Sequence, residues 1–443
     1  MFAHNVIITI LILIINILIQ SKAIYVLQKQ YLDLLRHDFK HNLSSLFLIE
    51  PYFLKQIFLS KNFQKFQTDA IYEWDEMMWR YNLPFDFKWN HWLTVGIFSD
   101  ELSNLMMPKN FIEIFKITGN NGIYNKSNQT FIPHHIFYQK KSNETVLNIH
   151  LVVFFRIENF LWIGSALKTN NINHTQIMSL NYFGKYEQIF DPFKLKLIYL
   201  SDIFILIPDD ISHFLSQLFT SRYLHCPPER NDQWLNKYNI KEEPSVVEYF
   251  RCSMLGLKGL LREMRMEFWL KAGSLLGWAR QCNVIPYTED SDFGTWAKYA
   301  KKIGETELTK EFSEHSPKHS IELLFQFGRA HNSIEYSFTL MNHSDNWKID
   351  LFFVYHNGTH FTTSLHFPTR GQWAKLFYPP YELCSVVLFG YKLLAPCNYE
   401  DVLSIEYGPN WHEPVIEWDW VESSQNLGPW MVSPLRGFFK SFQ

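Results

Sequence analysis

Two acidic residues, Asp290 and Asp292, alternate within the largely apolar stretch IPYTEDSDFG at residues 285–294. Successive side chains of a strand point to opposite faces, so both carboxylates are expected on one face and Ser291 and Phe293 on the other. At a separation of about 6–7 Å and an effective dielectric constant near 20, two such charges repel by about 2–3 kcal/mol. This cost predicts a bound cation, and the oxygen ligands favour Mg²⁺ or Mn²⁺.

A third carboxylate, Asp350, lies within the apolar, strand-like segment NWKIDLFFVYHNG. On a neighbouring strand it would complete a set of three metal ligands with Asp290 and Asp292. Such a set can hold one or two divalent ions, orient a phosphoanhydride for in-line attack and neutralise charge on the leaving group. The alternative is a group of surface carboxylates on an edge strand, which would need no metal.

The segment EFWLKAGSLLGWARQ at residues 267–281 predicts a short strand at 268–270, a turn at Gly273 and a short helix. A glycine at such a turn lets the backbone approach a phosphate. The free N–H groups at the helix start and the Ser274 hydroxyl are expected to bind its oxygens. The planar guanidinium of Arg280 is expected to reach the same anion.

A longer amphipathic helix is predicted upstream, starting at Pro244 and Ser245. Its apolar residues recur at three- and four-residue steps, which is typical of a helix packed on a sheet. These residues are Val247, Phe250, Met254, Leu257, Leu261 and Met264.

Composition limits the class of protein. Aromatic residues make up 17% of the 443 residues, which predicts folded domains with large apolar cores. The net charge is only -3 and no long basic run occurs, so nucleic acid is not an expected partner.

The N-terminal segment is strongly apolar from Val6 to Ile19. Residues 1–27 are interpreted as a signal-anchor transmembrane segment and 28–43 as a stem, whereas cleavage after the small residues Ser21 and Ala23 is the alternative. Both interpretations place the remainder in an oxidising compartment. The five cysteines are consistent with one or two disulfides, with Cys384–Cys397 the candidate pair and an odd thiol left over.

The fold class predicted for the remainder is α/β (α+β). Short apolar runs such as TVLNIHLVVFF, NFLWIG and LSDIFILIP predict a mixed α/β N-terminal domain over 44–240. The polar, proline-containing passage at 225–245 is the candidate boundary. Residues 241–443 would form the catalytic domain.

The segment FWLKAGSLLGWARQCNVIPYTEDSDFG resembles the LicD/fukutin family of phosphotransferases. Its pattern is W-L-x-x-G-[ST]-x-L-G-x-x-R followed by P-[WY]-x-x-D-x-D. Here it is met by Trp269, Leu270, Gly273, Ser274, Leu276, Gly277, Arg280, Pro286, Tyr287, Asp290 and Asp292. Further similarity lies in HLVVFFRIENFLWIG, KIDLFFVY and YGPNWHEPVIEWDW, so it spans most of the chain after the hydrophobic segment.

The resemblance implies a nucleotidyltransferase-like catalytic domain in a single-pass type II Golgi membrane protein, with the endoplasmic reticulum as the alternative location. It implies transfer of ribitol 5-phosphate from CDP-ribitol to an O-mannosyl glycan of a glycoprotein such as alpha-dystroglycan, with release of CMP. Asp290, Asp292 and Asp350 would hold the metal. Gly277 would belong to the donor-binding motif. Tyr407 and Trp411 fall in the family's Y-G-x-x-W stretch, with core packing as their leading interpretation and site lining as the alternative.

Two other functions are kept open. The first is transfer of another CDP-linked group, such as glycerol phosphate or choline phosphate. The second is a non-catalytic scaffold for a partner glycosyltransferase. A homo-oligomer or a complex with related transferases is expected as the assembly state. Glu289, which precedes the D-x-D pair, would either join the metal shell or be solvated.

Overall fold

The computed structural model describes residues 45–63, 92–105, 111–119, 132–141, 146–164, 182–200, 203–341, 347–421, 423–432 and 439–442. The predicted signal anchor at 1–27 and stem at 28–43 lie outside these ranges. Among the described helices, none is long and apolar enough to cross a membrane. The described part of the chain is a mixed α/β structure, as predicted.

The N-terminal part forms one sheet of nine described strands. These are β1 (Phe47–Leu48), β2 (Trp92–Phe98), β3 (Ile112–Gly119), β4 (Ile132–Lys141), β5 (Val146–Ile157), β6 (Phe160–Ile163), β7 (Gln188–Phe190), β8 (Leu195–Leu200) and β9 (Ile203–Pro208). The order is β3-β4-β5-β2-β1-β9-β8, with β6 pairing to β5 and β7. Strands β2 and β5 run parallel, as do β1 and β9. The three apolar runs singled out in the sequence form β5, β6 and β9.

Two helices, α1 (Pro51–Phe63) and α2 (Ile211–Gln217), pack on this sheet. Phe53 and Leu54 of α1 and Phe214 and Leu215 of α2 are buried in the same apolar cluster as the strands. The polar passage at 225–245 folds into α3 (Glu229–Tyr238) and the start of α4 (Pro244–Glu263). Pro244 occupies the first turn of α4, as predicted.

The C-terminal part contains the second sheet. Its strands are β10 (Phe268–Leu270), β11 (Asp290–Trp296), β12 (Ile321–Phe327), β13 (Glu335–Leu340), β14 (Lys348–His356), β15 (Phe361–Phe367), β16 (Gln372–Tyr378), β19 (Met431–Val432) and β20 (Phe439–Ser441). The order is β19-β16-β15-β14-β13-β12-β20, and β11 pairs with β14 and β10. The hairpin β17 (Leu383–Leu388) and β18 (Tyr391–Pro396) is separate.

The helices of this part are α4, α5 (Ala272–Gln281), α6 (Ala297–Ile303), α7 (Glu305–His315) and α8 (Tyr399–Tyr407). The predicted stripe of α4 lies in the second apolar cluster, where Phe250, Met254, Leu257 and Leu261 are buried. Within the stretch 285–294 that carries the two aspartates, the strand begins at Asp290. The residues before it form a turn that ends with the Thr288 N–H donating to the Ile285 carbonyl.

Two disulfides brace the C-terminal part. Cys384–Cys397 links the two ends of the β17–β18 hairpin, as predicted, and Cys226–Cys282 joins the segment before α3 to the end of α5. Cys252 is the free thiol among the described residues. The Cys226–Cys282 disulfide therefore links the start of α3 to the end of α5. Gly273, predicted to form a turn before this helix, lies in its first turn together with Ser274.

Glu50, which follows β1, predicts a measurable pH dependence of stability. It is 3% exposed, and Thr94 Oγ1 donates a hydrogen bond to it at 2.6 Å. Burial raises its pKa to about 8. The folded state therefore keeps a proton that the unfolded state loses above its ordinary pKa of about 4.5, so stability falls as pH rises between these values.

Replacing Glu50 with Gln keeps the acceptor for Thr94 and removes the ionisation. We expect Glu50→Gln to gain about 2 kcal/mol in free energy of unfolding relative to the parent chain between pH 5.5 and pH 7.5. Denaturant titrations at both pH values measure this difference. Glu314→Gln, on the exposed side of α7, is the control and should show no such gain.

Candidate active site

The pairing of β11 with β14 brings the three predicted acidic residues together. The two strands are parallel, and Asp292 lies directly opposite Asp350. Asp290 shares the face of Asp292, since the side chains of β11 alternate. The ligand oxygens of Asp290, Asp292 and Asp350 all lie within 4.8 Å of one another.

Burial makes this cluster electrostatically unfavourable. Burial is the main cause that raises the pKa of all three carboxyls, to about 8 for Asp350. For Asp292, the charges of Asp290 and Asp350 raise the pKa further. Two full charges at such separations repel by about 3 kcal/mol at an effective dielectric constant of 20. An oxygen-only donor set with unbalanced negative charge fits a hard divalent cation.

Each carboxylate is held by a neighbouring donor. The Gly273 N–H donates to Asp292 Oδ2 at 2.9 Å, and Thr288 Oγ1 donates to Asp290 Oδ1 at 2.9 Å. The Ser337 hydroxyl on β13 donates to Asp350 Oδ1. These contacts fix the direction in which the three side chains point.

Gly273 and Ser274 were predicted to bind phosphate, but their described contacts position Asp292. Ser274 Oγ accepts the Asp292 N–H at 2.8 Å, and Ser274 does not line the cavity described below. A Cβ on Gly273 would lie 3.0 Å from Asp292 Oδ2, so glycine permits this close approach. The Gly273 N–H is therefore engaged by Asp292, whereas the Ser274 hydroxyl keeps its own proton to donate, and phosphate binding by these two residues stays a prediction.

Gly277 has a packing role in α5. A Cβ at this position would lie 2.7 Å from the Asn283 carbonyl oxygen and 2.9 Å from the Ile285 nitrogen. Contacts this short are not tolerated against backbone atoms, so glycine allows the chain after α5 to fold back on the helix. Gly277 is not among the residues that line the cavity.

The carboxylate cluster lies in a cavity of about 730 Å³. This volume is in the range of small-molecule and cofactor sites. Its wall includes Lys271, Arg280 and Lys348 beside the three aspartates. Glu289 also lines the cavity but is exposed and lies outside the carboxylate cluster.

Arg280, predicted from the sequence as an anion ligand, lines the cavity. It is 6% exposed, and its guanidinium lies 4.4 Å from the centre of the Trp234 ring on α3. Its Nε donates to Gln281 Oε1 at 3.2 Å, and its buried Nη2 has no hydrogen-bond partner among the described residues. A buried charged donor without a partner is costly, which favours an anionic ligand at this edge of the cavity.

Lys271 was not identified from the sequence. It is 6% exposed, lines the cavity, and donates to the Tyr378 hydroxyl at 2.7 Å. Tyr378 in turn donates to Glu406 Oε2 at 3.1 Å. Burial lowers the pKa of Lys271, and the charges of Glu406 and Asp292 oppose that shift. The sequence did offer one signal for Lys271. It lies two residues before Gly273, whose N–H contacts Asp292 in the cluster.

The sequence analysis also did not identify two further cavity residues, Glu335 on β13 and His366 on β15. His366 Nδ1 lies 2.9 Å from Glu335 Oε2, and both residues line the cavity. Glu335 also raises the pKa of Asp350 through its charge. The two residues are 31 positions apart, so only the strand order brings them together.

Aromatic side chains form another wall of the cavity. Tyr407, Trp411, Trp418 and Trp420 come from the stretch YGPNWHEPVIEWDW, and Tyr407 packs on Trp418 with ring centres 4.8 Å apart. Tyr407 and Trp411 also pack against the second core cluster. They therefore combine the two roles that were considered as alternatives.

Asp350→Asn tests the electrostatic character of the cluster. The amide keeps an acceptor for Ser337 and, at a pH above the raised pKa of Asp350, removes one of three repelling charges. At such a pH the metal-free variant should have a free energy of unfolding about 1–2 kcal/mol higher than the parent. Calorimetry should show Mn²⁺ binding to the parent that is weakened by at least about tenfold in the variant.

Asp232→Asn, on the exposed side of α3, is the matched control and should change neither property. A variant that is destabilised and still binds Mn²⁺ as tightly as the parent would show that the three carboxylates do not act as one site.

Two family models match the chain in sequence. One, described as LicD/FKTN/FKRP, nucleotidyltransferase domain, matches residues 265–398 and so covers all three aspartates. The other, described as Fukutin N-terminal, matches residues 112–253.

Similar proteins include two named Ribitol-5-phosphate transferase FKTN, from Macaca fascicularis and Homo sapiens. Each is 30% identical over 293 residues, which is 65% of this chain and 61% of the relative. An uncharacterized protein of Caenorhabditis elegans is 24% identical over 247 residues, 54% of this chain and 61% of its own length. The match thus spans less than two thirds of the FKTN relatives. The two domain models and the FKTN relatives together support a fukutin-like protein.

Proposed function

We propose that this protein is a metal-dependent phosphotransferase that moves ribitol 5-phosphate from CDP-ribitol to a glycan of a glycoprotein and releases CMP. The observation that carries the proposal is the convergence of Asp290, Asp292 and Asp350 within 4.8 Å inside a cavity that also holds two buried cations. The similarity to proteins named Ribitol-5-phosphate transferase supports the choice of donor. An O-mannosyl glycan, such as that of alpha-dystroglycan, is the proposed acceptor.

The donor's charges match the groups on the cavity wall. Arg280 and Lys271 would contact the pyrophosphate of CDP-ribitol, because both present buried positive charge toward the cavity. Trp411 and its aromatic neighbours provide flat surfaces on which a cytosine ring can stack. The cavity of about 730 Å³ has room for a nucleotide-linked alditol and part of an acceptor.

In the proposed reaction an acceptor hydroxyl attacks the phosphorus bonded to ribitol. The bond from that phosphorus to the bridging oxygen breaks, CMP leaves with the electron pair, and the proton of the acceptor hydroxyl passes to solvent or to the departing phosphate of CMP. Asp290, Asp292 and Asp350 would hold Mg²⁺ or Mn²⁺, which when bound neutralises charge on the phosphates. Lys271 and Arg280 stabilise the charge that moves onto the leaving phosphate.

The compartment follows from the same proposal. Two disulfides fit an oxidising lumen, and the apolar N-terminal segment at 1–27 would anchor the chain in the Golgi membrane. The exposed sequon at Asn357 is compatible with that side of the membrane. Assembly into a homo-oligomer or with related transferases is part of the proposal.

Substitution of the D-x-D pair is the direct test. Asp290→Asn and Asp292→Asn should each lower CMP release from CDP-ribitol by at least about 10³-fold, because the site loses charge that holds the metal and orients the donor. Circular dichroism and a thermal melt check folding, and Asp232→Asn serves as the control. Undiminished transfer by folded variants would rule out the proposed site.

The donor is identified in the same assay by comparing CDP-ribitol, CDP-glycerol and CDP-choline. The highest kcat/KM is expected with CDP-ribitol. Preference for another donor would show that the protein transfers glycerol phosphate or choline phosphate by the same chemistry. Absence of CMP release with every donor, together with absence of Mn²⁺ binding, would favour a scaffold for a partner glycosyltransferase.

Arg280→Lys tests the anion-binding wall. Lysine keeps the charge but lacks the planar fork that can stack on Trp234 and bind two oxygens at once, so kcat/KM for the donor should fall by about 10–100-fold. Steady-state kinetics of CMP release measure this change. Arg156→Lys is the matched control, because Arg156 also stacks on an aromatic ring, 3.7 Å from the Phe98 centre, but belongs to the N-terminal sheet.

A further inference from the structure

A second, smaller cavity lies where the N-terminal sheet meets the catalytic part. Its volume is about 80 Å³. Since about 10–15 Å³ of such space holds one water molecule, the cavity accommodates a group of a few heavy atoms. Its wall comes from α2 and the end of β7 on one side and from α4 and β18 on the other. The charged and amide residues of this wall are Asp191, His213, Gln217, Lys258, Arg262, Arg265, Glu267 and Lys392.

Positive charge is in excess around this cavity. Lys258, Arg262, Arg265 and Lys392 face two carboxylates, Asp191 and Glu267. Lys258 Nζ pairs with Asp191 Oδ1 at 2.6 Å. Glu267 accepts from Trp296 Nε1 and interacts with Lys298, outside the cavity wall. Neither Arg262 nor Arg265 forms an ion pair or side-chain hydrogen bond within the described part of the chain.

Lys392 is buried without a direct ionic partner. It is 4% exposed, and its Nζ donates at 2.8 Å to the neutral Gln217 Oε1. Burial lowers its pKa to about 8; the charges of Asp191 and Glu267 oppose this shift, and those of Lys258 and Arg262 add to it. Because the described hydrogen bond of this buried ammonium group goes to a neutral amide oxygen, a further anion in contact with it would be stabilising.

Gln217 presents an unused donor at the same place. Its Oε1 accepts from both the Asp191 N–H, at 2.6 Å, and Lys392 Nζ, which fixes the orientation of the amide because a flipped group would oppose two donors. Gln217 is 3% exposed, and its Nε2 has no hydrogen-bond partner among the described residues. His213 Nε2 is likewise buried without a hydrogen bond and lies 3.6 Å from Asp191 Oδ2.

We propose that this junction cavity binds one tetrahedral oxyanion of the phosphate class, held by Lys392, Gln217 Nε2 and the two arginines. The site is distinct from the donor cavity, that is, the cavity of about 730 Å³ that holds the carboxylate cluster. It does not depend on the proposed transferase activity. Its volume admits a single phosphate group but not a nucleotide. The anion could be inorganic phosphate or the phosphate of a monoester whose remainder extends out of the cavity. Because the wall comes from both parts of the chain, the ligand would stabilise their junction.

The first test is binding of inorganic phosphate to the full chain. Calorimetry and thermal unfolding are run in EDTA, with chloride at matched ionic strength as the reference. The carboxylate cluster then carries no metal and repels anions. Phosphate should bind with one-to-one stoichiometry and raise the unfolding midpoint by a few degrees at saturation, since it binds the folded state. Equal midpoints in phosphate and in matched chloride, with no heat of binding, would overturn the proposal.

Variants locate the site. Arg262→Gln and Arg265→Gln lie at exposed positions and should fold, and each should weaken phosphate binding by about tenfold. Lys241→Gln, at an exposed position outside the cavity wall, should leave phosphate binding unchanged. Arg280→Gln should also leave phosphate binding unchanged. Loss of binding in Arg280→Gln but not in the other arginine variants would place the anion in the donor cavity and refute the junction site.

Gln217→Glu provides an internal replacement for the anion. Its carboxylate can still accept from Asp191 N–H and would pair with Lys392, so the variant should bind phosphate at least about tenfold more weakly. Phosphate binding as tight as in the parent would contradict the role of Gln217. A sugar monophosphate, such as glucose 6-phosphate, distinguishes the source: tighter binding than inorganic phosphate indicates a phosphorylated carbohydrate, and weaker binding indicates the free anion.

Discussion

Repulsion among three carboxylates, Asp292 buried and Asp290 and Asp350 partly buried, is the constraint around which the C-terminal part of the chain is arranged. The parallel register of β11 and β14 sets Asp292 opposite Asp350, and no adjustment of side chains could separate them widely. The surrounding structure opposes that repulsion through a small number of hydrogen bonds, from Gly273, Thr288 and Ser337. The arrangement is stable because α4, α6 and α7 cover the other face of the sheet with apolar side chains. Stability comes from that core, while the site itself contributes strain that a cation would relieve.

The two sides of β11 show how much of this could be predicted. Alternation along a strand has a period of two, so the common face of Asp290 and Asp292 follows from the sequence alone. The apolar neighbours of Asp350 likewise indicate a buried strand. The pairing of β14 with β11 cannot be predicted from local sequence, because more than fifty residues of chain separate the two strands. Glu335 and His366 reach the cavity through that strand order, and Glu406 reaches it from helix α8, so local patterns gave no indication of them.

The Gly-Ser turn illustrates a different limit of sequence reasoning. A glycine and a serine after a strand predict a close backbone approach, and the approach exists, but its object is the Asp292 carboxylate. Residue type predicted the close approach, and the structure adds a contact with Asp292 that the sequence did not indicate. The polar passage at 225–245 shows the same limit, because its composition predicts a domain boundary. Its helix α3 has one buried residue, Trp234, and that residue supports the guanidinium of Arg280.

Helix α4 links the two sheets into one mechanical unit. One side of the helix places Phe250, Leu257 and Leu261 in the catalytic core. Its Lys258 meanwhile pairs with Asp191 at the end of β7, with both side chains less than one fifth exposed. Hairpin β17–β18 adds a second link, because Ser385 Oγ donates to the Thr220 carbonyl beyond α2. Burial strengthens these polar contacts relative to surface pairs, since solvent screens them less. The N-terminal sheet therefore contacts, through α4, the same core that holds β11 and its two aspartates in register.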